Sequence, residues 1–221
     1  MEATEWVYAG GQWVKDGFGP KNWAQAWIDT NRNNRRDAND EYDYLRNIED
    51  FTGFYGDDVL TGDYNVNYLH GGRGSDRLDG RGNADVLTGG EGSDKFVLTL
   101  EAGLRAADVF VDFRSGLLEQ DKLEVGLTTA QITTINAASD NAAKLTALKT
   151  ALNIGWTSTS NITTNTGTNS SSDNDTAIYL LGADNALGGT GANLDELVMV
   201  LEDFDTALAF GSFTLIATDG V

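Results

Sequence analysis

Cysteine is absent from these 221 residues, and proline occurs once, at Pro20. A chain without cysteine has neither a disulfide framework nor thiolate metal ligands to hold it together. The single histidine, His70, cannot assemble the imidazole cluster of a zinc hydrolase. No G-x-S-x-G nucleophile elbow occurs, and no enzyme is expected. Positive charge is scarce: 15 Lys and Arg stand against 34 Asp and Glu, a formal net charge of −19. Such a surface repels nucleic acid and anionic membranes, so neither is an expected partner. No stretch reaches the roughly 20 apolar residues of a membrane-spanning helix. Met1–Gly10 also lacks the basic and apolar runs of an export leader.

What the chain has is glycine, 26 of them, and those between 53 and 97 recur with a period of nine. The stretch reads GFYGDDVLT, GDYNVNYLH, GGRGSDRLD, GRGNADVLT, GGEGSDKFV. The first position is always glycine: Gly53, Gly62, Gly71, Gly80 and Gly89. The sixth is Asp58, Asn67, Asp76, Asp85 and Asp94, and the eighth is Leu60, Leu69, Leu78, Leu87 and Phe96. Each unit divides into a six-residue turn and a three-residue strand. Glycine serves the turn because it takes positive φ without steric cost, and asparagine (Asn65, Asn83) is the next most tolerant residue. A strand followed by a tight turn reverses the chain, so two units return it to its start. Residues eighteen apart then stack at about 4.8 Å, the spacing of neighbouring strands. One edge stacks Asp58, Asp76 and Asp94, and the other stacks Asn67 and Asp85. Stacked carboxylates repel, by roughly 1 kcal/mol per pair in water and more near protein. A cation between them reverses the sign.

On these residues the chain resembles the RTX repeat, G-G-x-G-x-D-x-U-x, the calcium-binding parallel β-roll of secreted proteases, lipases, epimerases and adhesins. The resemblance implies several Ca2+ ions. It also implies that turn residues Gly53, Gly56, Gly71, Gly72, Gly74, Gly89, Gly90 and Gly92 complete the metal shells around the aspartates. Asn47-Ile48-Glu49 resembles the lead-in to such repeats, and Tyr44–Thr52 reads as a degenerate sixth unit with Glu49 in the acidic column and Phe51 in the apolar one. After the roll, Asp108 to Leu123 resembles the family's D-x-I-x-D-F-x-x-G-x-D-x-I segment, with a longer gap between Gly116 and Asp121. Asp112 lies eighteen after Asp94 and is a candidate to extend the first edge, and Asp121 is a further candidate ligand.

Residues 1–44 form a Trp-rich β segment in which Asn22–Ile28 alternates as a strand does. Within it, Asp29, Asn31, Asn33, Asp37 and Asp40 fall at positions one, three, five, nine and twelve of an EF-hand-like calcium loop. Asn34 replaces its glycine and Arg36 its apolar residue, so a plain polar loop stands as the alternative. Residues 45–125 form the roll and its exit. Residues 126–221 form a cap: one helix over Ala142–Leu152 with Ser139 as N-cap, a polar loop over Thr157–Asp175, then glycine-broken apolar strands.

The expected fold is therefore all-β: a right-handed parallel β-roll with an antiparallel β cap and one short helix. By resemblance, the cap ends in the uncleaved signal of type I secretion, which makes a type I transporter a partner. The chain is then expected to be a monomer, secreted or on the surface of a Gram-negative-type bacterium. It serves as a module unfolded in the cytosol and folded by calcium outside. The alternative is a calcium-stabilised domain that binds extracellular polysaccharide, with tryptophans stacking on sugar rings.

Overall fold

The computed structural model describes residues 49–53, 55–100, 107–114, 120–157, 175–182, 196–202, 204 and 207–219. It describes the backbone alone at 6–9, 12–15, 24–28, 41–45, 158–159, 163–164 and 167–168. The EF-hand-like stretch with Asp29, Asn31, Asn33, Asp37 and Asp40 lies outside the described residues.

The nonapeptide pattern builds two facing sheets. Strands β1 (Trp6–Ala9) and β2 (Gln12–Lys15) form a separate hairpin, and β3 (Ala24–Ile28) and β4 (Glu41–Leu45) form a second. The roll follows as β5 (Asp50–Thr52), β6 (Val59–Thr61), β7 (Tyr68–Arg73), β8 (Arg77–Asp79), β9 (Val86–Glu91) and β10 (Lys95–Leu98). Its exit strands are β11 (Asp108–Phe110) and β12 (Lys122–Leu127). Successive strands alternate between sheets, so β6, β8, β10 and β12 pair in parallel in one sheet. In the other, β5, β7, β9 and β11 do the same. Antiparallel pairing of β3 with β6 covers the start of the first sheet.

The register is that of the apolar column. Leu60, Leu78, Phe96 and Leu123 stack in one sheet, and Phe51, Leu69, Leu87 and Phe110 stack in the other. Side chains alternate sides along a strand, so one residue in three points inward and the two columns make a single thin core. Phe96 and Phe110 stack across it with ring centroids 4.7 Å apart. The degenerate unit keeps its apolar position, since Phe51 pairs with Leu69.

Among the described residues beyond the roll there are two α-helices where one was expected. Helix α1 (Thr129–Asn136) starts at a capping box between Thr128 and Gln131 and buries Ile135. Its threonine-rich sequence carries little apolar periodicity, so capping and one anchor define it. Helix α2 (Asn141–Leu152) is capped by Asp140, which accepts from the Ala143 amide, rather than by Ser139. The Ser139 hydroxyl donates to the Asp140 carboxylate instead.

The remaining strands are β13 (Ile154–Thr159), β14 (Thr163–Thr164), β15 (Gly167–Thr168), β16 (Asp175–Leu180), β17 (Glu196–Leu201) and β18 (Phe213–Ala217). Strand β13 runs three residues into the stretch expected to be loop and pairs antiparallel with β16. The expected antiparallel cap is half of the arrangement. Strands β13, β16 and β17 are antiparallel, but β17 joins β11, and β18 joins β12, in parallel. The C-terminal strands thus continue both sheets of the roll and add Leu201 and Phe213 to its two apolar columns. Among the described residues, no helix is long and apolar enough to cross a membrane.

Candidate metal centre

The two edges of the roll carry its polar turns. Residues 55–58, 74–76 and 92–94 turn on the first edge, and residues 62–67 and 80–85 turn on the second. On the first edge each aspartate accepts, through Oδ1, the backbone amide of the aspartate one turn earlier. Asp58 donates to Asp76 (2.7 Å), Asp76 to Asp94 (2.8 Å) and Asp94 to Asp121 (2.9 Å). On the second edge Asn67 donates to Asp85 (2.8 Å) and Asp85 to Asp108 (3.0 Å). All seven residues of these two ladders are buried. Glu49, by contrast, is exposed, and only its backbone carbonyl joins the roll, accepting from the Tyr68 amide at 2.6 Å.

This register corrects the count of eighteen beyond the repeats. Asp112 does not stand over Asp94; Asp121 does, because Lys95 pairs with Lys122. Asp112 instead accepts the amides of Gly89 and Gly90, each at 2.8 Å, and Arg114 donates to the Gly90 carbonyl at 2.9 Å. Asp108, which is not among the ligands expected from the sequence, takes the next place on the second edge. It lies twenty-three residues after Asp85 rather than eighteen. The available signal was its pattern: Asp108 stands two positions before Phe110, as each column aspartate stands two before its apolar residue.

Glycine makes the stack possible. Gly74 (φ 140°) and Gly92 (φ 137°) are in the positive region, and a Cβ on either would collide with the carbonyl oxygen of Gly56 or Gly74 in the turn below. At Gly53, Gly71 and Gly89 a Cβ would occupy the place of Oδ2 of Asp58, Asp76 and Asp94. First-position glycines therefore make room for the carboxylates. Gly56, Gly72 and Gly90 also hold positive φ, and the Gly72 carbonyl lies against Gly90.

Burial is unfavourable to bare carboxylates. It pushes Asp76, Asp94 and Asp108 up to about 7 and Asp121 to about 6. Asp85 rises to about 9, through burial first and then the charge of Asp108. Oδ2 of Asp76 and Oδ2 of Asp85 are buried without a hydrogen-bond partner. An anionic oxygen in that position calls for a proton or a cation. Among the described residues no three Asp, Glu or His side chains converge on a metal position. A cation here would draw on few carboxylates, with turn carbonyls making up the rest. Calcium, with six to eight oxygen ligands and a tolerant geometry, fits such a donor set; zinc, with its nitrogen and sulfur preference, does not.

A profile of the RTX calcium-binding nonapeptide repeat, in four copies, matches residues 52–82 and 61–96. Residues 52–96 are RTX repeats. The RTX module binds calcium ions, and its fold is the parallel β-roll described above. Neither the curated proteins nor the solved structures gave a match to this chain. Asp121 and Asp108 lie outside the matched span, yet they continue the RTX ladders without a change of hydrogen-bond pattern.

Proposed function

We propose that the chain is the calcium-dependent folding and type I secretion module of an extracellular RTX protein, and that it has no catalytic role of its own. The observation that carries this reading is the pair of unpartnered, buried carboxylate oxygens on Asp76 and Asp85. In the absence of metal they oppose folding at neutral pH, and calcium removes the penalty. Weak extracellular-type sites have dissociation constants of about 0.1–1 mM. At about ten times that concentration each occupied site contributes roughly 1.4 kcal/mol, and at cytosolic calcium essentially nothing. The roll is then unfolded where a transporter must thread it and folded after release. RTX repeat proteins are typically secreted by Gram-negative bacteria, which supports the same placement.

The export half of the proposal rests on the family resemblance of the C-terminal segment. It is tested by secreting the chain through a type I transporter with and without residues 209–221. Loss of export for the shortened chain, at calcium too low for folding, is the expected result. Undiminished export would reduce the segment to a structural role in the roll. The polysaccharide alternative rests on tryptophans of the N-terminal segment, and a glycan array at millimolar calcium tests it.

A further inference from the structure

The gap between turns 62–67 and 80–85 is filled differently from the other gaps in the two ladders. Its column residue is Asn67 rather than aspartate. Asn67 Oδ1 lies against Gly62, where an aspartate Oδ2 lies in the other turns, and it already accepts the Asp63 amide at 2.8 Å. The remaining terminal atom, Nδ2, is buried and has no partner. A buried amide nitrogen carries hydrogens and offers a cation nothing. The oxygens of Asp63 and Tyr64 are engaged as well, whereas Oδ2 of Asp85, against Gly80, stays unpartnered. Asp63 closes its carboxylate on Asn65, accepting from the backbone amide at 2.7 Å and from Nδ2 at 3.0 Å. The Tyr64 carbonyl accepts from Nδ2 of Asn83 in the turn above. Asn83 stands at the fourth position of its repeat with φ 75°, where the repeat pattern calls for glycine. A side chain that tolerates this conformation thus ties the two turns together at their exposed rim, outside the buried Asn67 and Asp85.

We propose that this gap takes no calcium, and that the Asn83 amide bridges turns 62–67 and 80–85 in place of an ion. The proposal rests on the calcium-dependent reading of the roll and assigns where that reading stops. It makes Asn67 and Asn83 the residues that set how many ions the module holds. The bridged pair of turns forms without metal and gives the roll a fixed rung on which calcium-filled rungs stack.

The test uses the full chain, with bound calcium counted by isothermal titration and folding followed by circular dichroism. Asn83→Gly suits the positive φ and removes only the bridge. It should leave the ion count unchanged while raising severalfold the calcium needed for half-folding. Adding Asn67→Asp to Asn83→Gly restores the repeat pattern and should bind one ion more than the parent. A folded double variant with the parent's ion count would overturn the proposal. So would an Asn83→Gly variant that folds at the parent's calcium concentration, or an Asn67→Ala variant that loses an ion. Asp76→Asn separates this failure from that of the broader reading: if it bound as much calcium as the parent, the ladder itself would be wrong and the proposal would fall with it.

Discussion

A buried aspartate can be tolerated with a proton, with hydrogen-bond donors, or with a cation. The half-buried Asp112 takes the second course, holding the Gly89 and Gly90 amides. Asp76 and Asp85 each spend one oxygen on an amide and leave the other unpartnered. The difference fixes a pH dependence. Asp76, Asp85, Asp94, Asp108 and Asp121 have folded values raised from an ordinary 3.8 to about 6, 7 or 9. In chelator their contribution to stability is fully present below about pH 4 and is lost as pH rises through the folded values. The metal-free roll should therefore show more β signal at pH 5 than at pH 8, and the reverse order would contradict the assignment. Asp76 has an aspartate on either side, Asp58 and Asp94, whereas one neighbour of Asp85 is Asn67, so Asp76→Ala should reduce calcium uptake and cooperativity more than Asp85→Ala in calorimetric titration. Gly74→Ala should destabilise the calcium-loaded roll by about 1–3 kcal/mol from positive φ alone, and by more once the clash with the Gly56 carbonyl is added. Thermal denaturation measures it. The ladder was legible in the sequence wherever the period holds. It is not legible beyond Val97, where the eighteen-residue count points to Asp112 and leaves Asp108 out, because the longer return shifts the spacing to twenty-three and twenty-seven.

At the scale of elements, the roll is continued by strands that carry no glycine repeat. Strand β18 lies against β12 over five paired positions, Leu123 with Phe213 through Leu127 with Ala217. Phe213 also packs against Trp156, whose ring lies under the Lys149 ammonium at 3.6 Å. An apolar run such as Phe213-Thr-Leu-Ile announces a strand, but sequence alone does not say which edge it will cover or in which direction. Hence the parallel pairing of β17 and β18 was not legible, nor was helix α1, whose boundary is set by the Thr128–Gln131 capping box. Removing residues 209–221 should expose the β12 edge, lower the melting temperature in calcium and promote aggregation. Light scattering beside a thermal melt reads both. A shortened chain as stable and as monodisperse as the full one would show that β18 adds nothing to the roll.

For the molecule as a whole, two seven-stranded sheets share one narrow core of stacked leucine and phenylalanine, and that core is lined on both edges by buried carboxylates. Apolar burial favours the roll; at neutral pH its edges oppose it unless cations are present. With a formal charge of −19, the opposition extends beyond the ladder to the surface, where added salt screens it and the buried edges remain. Magnesium should substitute poorly, since it prefers a regular octahedron and retains its waters. The most direct measurement is far-ultraviolet circular dichroism of the full chain at pH 8, first in chelator at physiological salt and then through a calcium titration to millimolar. The account predicts a largely disordered spectrum in chelator, a cooperative gain of β signal with calcium, and little gain with the same concentration of magnesium. A complete β spectrum in chelator at pH 8, unchanged by calcium, would contradict it.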